Sequence, residues 1–163
     1  MEKEKFLMNV KTKEGFTIIE MLIVIAIIAV IVGIALPRLR SMQMEGDYAK
    51  AQGELRTLQA AVESYYIHNS RSYPTQGTTV SSVWQTAALT AATPQIIAAS
   101  LKDPFDSVGA QYRYATSAGT TSEYYIIFSV GPNRTPTITG IDTAGNLGGS
   151  TGDDIFVTNG SGH

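Results

Sequence analysis

The stretch Gly15-Phe-Thr-Ile-Ile-Glu20, running directly into MLIVIAIIAVIVGIAL at 21–36, decides how the rest of the chain is read. Met21 to Leu36 is an unbroken apolar run of sixteen residues, and Phe16 to Ile19 extend it upstream with Glu20 as the one interruption. About 20 residues of α-helix rise about 30 Å, the thickness of a bilayer's hydrocarbon core. A core helix in a small soluble protein keeps a polar face, and this run has none. It belongs in a membrane, or in a packed bundle of identical helices.

Upstream, MEKEKFLMNVKTKEG carries Lys3, Lys5, Lys11 and Lys13. Positive charge beside the apolar run keeps the N-terminus cytoplasmic and sends the remainder across the membrane. An ordinary secretory signal would place its cleavage site after the run. There the chain reads Gly33-Ile-Ala-Leu-Pro-Arg-Leu-Arg, without an A-x-A-like site, and the small residue Gly15 stands before the run instead. A plain uncleaved anchor is the other simple alternative. Glu20 is the informative residue, because a carboxylate inside an apolar span costs roughly 2.5–3.5 kcal/mol at a bilayer centre and less near the interface. It either snorkels to the headgroups or has a partner.

From Arg38 onward the pattern becomes amphipathic. Tyr48, Ala51, Leu55, Leu58, Val62 and Tyr65 recur at helical spacing, with Lys50, Glu54, Arg56 and Glu63 between them. One long helix is predicted from about Phe16 to about His68, bent or weakened near Gly33 and Pro37. Asn69 to Gly77 ends it with turn formers and a Pro. Ser82 is placed to cap a short helix through Trp84 and Leu89, and Thr93-Pro94 to start another through Ile96 and Ile97. Residues 111–116, 123–130 and 155–158 read as strands. The predicted fold is α+β: a long N-terminal helix, first membrane-spanning and then amphipathic, packed on a small antiparallel meander of three or four strands.

With 12 Lys+Arg against 14 Asp+Glu, the chain lacks the basic excess of a nucleic-acid binder, and no nucleic acid is required as a partner. With no Cys, it has no disulfide, thiolate nucleophile or Cys-ligated metal. His68 and His163 are far apart in sequence, and neither a P-loop nor a nucleophile-elbow G-x-S-x-G is present. No catalytic constellation is predicted. Gly131 to His163 contains eight Gly and reads in isolation as flexible loop. Within it, Asp142, Asp153 and Asp154, with Asn133 nearby, are either solvated turn carboxylates or hard oxygen ligands for calcium.

Gly15-Phe16-Thr17 with Glu20 and Pro37, after a basic leader, resembles the processing region of type IV prepilins and pseudopilins. The resemblance implies a type IV pilin-like fold and cleavage after Gly15 by a membrane-embedded prepilin peptidase, followed by N-methylation of Phe16. It divides the chain into a leader (1–15), a transmembrane and filament-core helix (16–37), and the amphipathic helix with an α+β head (38–163). It implies that Glu20 neutralises the amine released at Phe16, on a neighbouring subunit or one turn away in the same helix, while Pro37 bends the helix. Tyr73-Pro-Thr, Lys102-Asp-Pro-Phe with Tyr112, Phe128-Ser-Val-Gly-Pro-Asn and Gly152-Asp-Asp-Ile further resemble landmarks of the major pseudopilins of type II secretion. There the C-terminal loop binds calcium, and Phe105 and Asp106 here stand where that family usually has Trp and Gly.

The expected function is therefore a structural subunit of a homo-oligomeric filament, most like a secretion pseudopilin. The chain would sit in membrane lipid before assembly, as a single-pass inner-membrane protein with its head outside the cytoplasm. An inner-membrane assembly platform would then build it into a periplasmic or cell-surface filament. A true type IV pilin and a non-polymerising, membrane-anchored periplasmic binding module are the alternatives.

Overall fold

The computed structural model describes residues 15–75, 80–81, 83–106, 109–118 and 123–162. The basic leader, Ser82 and His163 lie outside them. The chain divides into two units, Met1–Ser41 and Met42–His163.

Helix α1 spans Ile18–His68, within two residues of the predicted start and ending on the predicted residue. In the first unit its apolar side chains are exposed all round, as are those of Phe16 and Ile18. By length and composition α1 contains a segment able to cross a membrane, and none of that segment is buried. Pro37 sits inside the helix. Its missing N–H and its ring both act on the residue four positions earlier, which is Gly33. A Cβ at Gly33 would meet nothing within 4 Å.

In the second unit α1 buries Ala51, Leu55, Leu58, Ala61 and Val62. This is the predicted stripe, except that Tyr48 is exposed, Tyr65 is only half-buried against the core, and Ala61 is buried in addition. The stripe packs on a three-stranded antiparallel sheet of order β1-β2-β5, where β1 is Arg113–Thr116, β2 Tyr125–Ser129 and β5 Ile155–Thr158. Arg113 pairs with Phe128, and Phe128 in turn with Phe156, which fixes the register on both sides of β2. Ser81 and Tyr114 exchange backbone hydrogen bonds of 2.9 and 3.0 Å across the outer edge of β1.

The three expected strands pair antiparallel in the expected order; in addition a second hairpin, β3 (Ile138–Ile141) with β4 (Leu147–Gly149), lies between β2 and β5 in sequence and forms a two-stranded sheet of its own. Alternate residues of β2 therefore serve two cores. Tyr125 and Ile127 join the α1 core with Trp84, Tyr112 and Tyr114, while Ile126 and Phe128 meet Ala115, Ile138 and Ile141 beneath the hairpin. That is why β2 is apolar without alternation: it is buried on both faces. The region from Gly131 onward is likewise folded rather than loop, and Gly allows its tight approaches. A Cβ on Gly149, whose φ is +84°, would lie 2.3 Å from the Thr137 carbonyl oxygen.

Between α1 and β1 the chain forms a π-helical turn, Thr86–Thr90, and no helix includes Ile96 and Ile97, contrary to the prediction at Thr93-Pro94. Trp84 is fully buried, as its packing role requires; its ring stacks on Tyr114 and its Nε1 donates to the Tyr112 carbonyl at 2.7 Å.

Candidate functional site

Apart from Pro37, inside α1, the sequence-predicted site residues fall in two regions: the start of α1 and the loops around β3 and β5. At the first, Thr17 is the N-cap. Its Oγ1 accepts from the Glu20 backbone N–H at 3.2 Å, and its carbonyl accepts from Met21 N–H at 3.3 Å. Thr-x-x-Glu is the capping-box pattern, legible in the sequence, with an acid in the first turn where the helix dipole favours negative charge. The Glu20 carboxylate itself takes no hydrogen bond or ion pair among the described residues. Gly15 is exposed, and a Cβ there would meet nothing within 4 Å.

At the second region, Asp153 and Asp154 stand together on the turn entering β5, facing the 131–137 loop. Asp153 accepts from the Asn133 backbone N–H at 2.7 Å and also from the Asn133 side-chain amide. Asp154 Oδ2 accepts from the Thr137 N–H, the Thr137 hydroxyl and the Ile138 N–H at 2.8–2.9 Å. Asp154 Oδ1 is buried and has no hydrogen-bond partner. Asp142 is elsewhere, on the β3–β4 turn. It accepts from Ala144 N–H and Asn146 N–H at 2.8 Å and from the Asn146 amide at 3.1 Å. The backbone and side chain of Asn146 hold the Asp142 carboxyl below its usual pKa. The structure does not bring Asp142 together with Asp153 and Asp154 as a group of three. Among the described residues no three Asp, Glu or His side chains converge as a metal site.

A third cluster was missed from the sequence, where Glu54 and Glu63 read only as charges on the outer side of the helix. Glu63 accepts from the Tyr125 hydroxyl at 2.7 Å and from the Tyr73 hydroxyl at 3.2 Å. Glu54 accepts from the Tyr112 hydroxyl at 2.7 Å. Burial first, then the Glu63 charge, push the Tyr73 hydroxyl up to about 12. Burial and the hydrogen bonds to their carboxylates likewise push Tyr112 and Tyr125 upward. These carboxylates fasten α1 to the head. Glu63 sits eight residues after Leu55 and one after Val62, at the margin of the buried stripe, and that position was the available signal.

The sequence model of the family described as type II secretion system protein G matches residues 38–144. The chain belongs to the type II secretion system protein G family. A second sequence model, the prokaryotic N-terminal methylation motif, matches residues 10–36, which contain Gly15, Phe16 and Glu20. Among curated proteins, the chain is similar to the type II secretion system core protein G of Klebsiella pneumoniae, 35% identical over 63 residues, covering 39% of this chain and 44% of the relative. The core protein G of Aeromonas hydrophila is 31% identical over 68 residues, 42% of this chain and 47% of its own length. That of Dickeya chrysanthemi is 32% identical over 65 residues, 40% and 42%. The chain thus spans less than half the length of the curated relatives it matches. No solved structure matches it. Asp153 and Asp154 lie beyond the segment matched by the protein G family, whereas Asp142 lies within it.

Proposed function

We propose that the chain is a structural subunit, a pseudopilin, of a type II secretion filament. Its apolar helix anchors it in the inner membrane with the head outside the cytoplasm, and an assembly platform then packs those helices into the filament core. The observation that carries this reading is the contrast between the two units. Residues 42–163 have a buried core of their own, yet Ile18, Ile23, Ile25, Ile28, Val30 and Ile34 are all exposed within the chain. Burying a single such side chain is worth about 1.5–3 kcal/mol, so lipid or other copies must cover the run. The match to the protein G family favours this reading over a true pilin for adhesion or motility and over a non-polymerising anchor.

Processing follows from the start of the helix. Prepilin peptidase would cut between Gly15 and Phe16, and Phe16 would then be N-methylated. The match of the methylation motif supports this, as does a glycine whose Cβ position no described residue crowds. Cleavage releases a cationic amine, and Glu20, unpaired among the described residues, is the acid that would neutralise it in a neighbouring copy. On this reading the chain is a substrate of enzymes and not an enzyme itself.

A calcium ion is the finer element of the proposal. Asp154 offers a buried oxygen that no donor satisfies, and Asp153 beside it adds further carboxylate oxygen, the hard donor type calcium prefers. Asp142 takes no part. Bound there, the ion would tie the turn before β5 to the 131–137 loop.

The test of the filament reading is to shear cells producing the full chain together with its secretion system. Filaments containing the chain are expected in the sheared fraction, and deletion of its gene should leave secreted cargo in the periplasm. Normal secretion after deletion, or a chain found only as monomer in the membrane of cells that produce it, would overturn the reading.

A further inference from the structure

Two arginines stand directly beyond the apolar run of α1. Arg38 and Arg40 are exposed, and neither makes a hydrogen bond or ion pair among the described residues. From Ile18, where the helix begins, to Arg38 the axis rises about 30 Å, the thickness of a bilayer's hydrocarbon core. With Ile18 at one boundary of that core, the arginines reach the other, at the level of the lipid phosphates. Their charge works against the orientation of the chain, because positive residues beside a span hold their own flank in the cytoplasm. Lys11 and Lys13 do this for the leader, so Arg38 and Arg40 need another account. Ile31, Ile34, Ala35, Arg38 and Leu39 line a groove on one face of the helix, with Ala35 the one small side chain among them. The groove is apolar along its length and charged at its outer end, as a lipid is apolar in its chain and charged in its headgroup. Arg40 stands about 200° round the helix from Arg38. A single protein neighbour cannot meet both in one contact, whereas a bilayer surrounds the helix and offers phosphate on every side.

We propose that Arg38 and Arg40 bind the phosphates of anionic phospholipid in the outer leaflet, with one acyl chain lying in the groove below Arg38. The proposal rests on the membrane-anchored reading and adds a lipid class to it. Guanidinium is a planar fork of donors that fits two phosphate oxygens at once. In a helix a long side chain leans toward the N-terminus, which here is toward the bilayer. The arginine stem then lies on apolar surface while its charge stays among the headgroups. Phosphatidylcholine brings its own cation to the same place, and phosphatidylglycerol does not. Attraction of one arginine to an anionic surface favours binding about fivefold.

The full chain is reconstituted in phosphatidylcholine vesicles carrying a trace of spin-labelled phosphatidylglycerol or spin-labelled phosphatidylcholine. Electron paramagnetic resonance reads the fraction of label that the protein immobilises. The parent should hold phosphatidylglycerol more strongly than phosphatidylcholine, and Arg38→Gln with Arg40→Gln should cut that preference by about fivefold or more. Arg38→Lys with Arg40→Lys keeps the charge and should retain most of it. Ala35→Leu fills the groove and should lower the immobilised phosphatidylglycerol with both arginines in place; an unchanged fraction would overturn the seating of the acyl chain. Equal retention of the two lipids by the parent would overturn the proposal. So would a preference that survives the double glutamine variant and is lost in Lys11→Gln with Lys13→Gln, since it would then belong to the leader. Displacement of the label by millimolar inorganic phosphate would show a site for the free anion instead of a lipid. A parent chain that fails to float with the vesicles at all would remove the membrane-anchored reading itself, an outcome distinct from insertion without lipid preference.

Discussion

Replacing Glu63 by alanine removes one acceptor shared by two tyrosines, and the structure sets the size of the effect. The Tyr125 hydroxyl donates at 2.7 Å from a residue with no exposed surface, so no water replaces the lost carboxylate easily. The Tyr73 bond is longer, 3.2 Å, and Tyr73 keeps a second contact from the Asn159 amide at 3.3 Å. A hydrogen bond to a charged group contributes about 1.5–3 kcal/mol, and a stranded buried donor costs about 1–3 kcal/mol. Counting the Tyr125 bond in full and the Tyr73 bond at a fraction, Glu63→Ala should destabilise the second unit by about 2–4 kcal/mol. Glu63→Gln keeps an acceptor of the same shape and should cost about 1 kcal/mol. The assay is urea and thermal unfolding of a soluble fragment beginning near Gln43. At roughly 4 °C per kcal/mol for a unit of this size, the alanine variant should melt about 8–16 °C lower. A loss below about 1 kcal/mol in the alanine variant, or an equal loss in the glutamine variant, would refute the idea that Glu63 acts as the shared acceptor.

Other expectations are as direct. Above pH 10 the same fragment should lose stability steadily. Tyr73 retains its proton up to about 12 when folded but releases it near 10 when unfolded. The stabilisation is therefore complete below pH 10 and fades as pH rises toward 12; a flat alkaline profile would contradict the buried tyrosine cluster. Gly131→Ala should destabilise by more than about 2 kcal/mol, because φ is +68° and its Cβ would lie 2.3 Å from the Asp153 carbonyl oxygen. An urea midpoint unchanged from the parent would count against that turn. The fragment should melt higher with millimolar calcium than with chelator, and Asp154→Asn should remove the increment whereas Asp142→Asn should not; equal melting with calcium and chelator would exclude the ion. Gly15→Val should leave the leader attached, seen as an unprocessed band on a gel, and a normally processed band would disprove the steric demand at that bond.

Much of α1 was legible because a helix announces itself locally. Its period, its apolar run, and the Asn69 and Pro74 beyond its end are all contained in a few turns of sequence. β2 was equally plain, as were the strands it pairs with, but the hairpin inserted between β2 and β5 was not. Whether β5 follows β2 or a hairpin intervenes depends on contacts between residues far apart in sequence, such as Phe128 with Phe156. The β3–β4 hairpin was hidden by glycines, which weaken strand propensity while permitting the close approach of Gly149 to Thr137. At the candidate sites, Glu20 stood out because its apolar surroundings make a carboxylate costly. Asp142, Asp153 and Asp154 looked alike, since composition cannot distinguish an acid that closes its own hairpin turn from one that braces a distant loop. Glu63 was passed over for the same reason: its partners, Tyr73 and Tyr125, are brought to it only by the tertiary fold.

The central claim is that this chain is processed at Gly15 and enters a filament through the freed helix. Mass spectrometry of the subunit recovered from sheared filaments tests it most directly. The account predicts a protein that begins at Phe16, with one methyl group on its α-amine and residues 1–15 absent. A subunit that begins at Met1, or a chain found only as membrane-bound monomer with its leader intact, would contradict it.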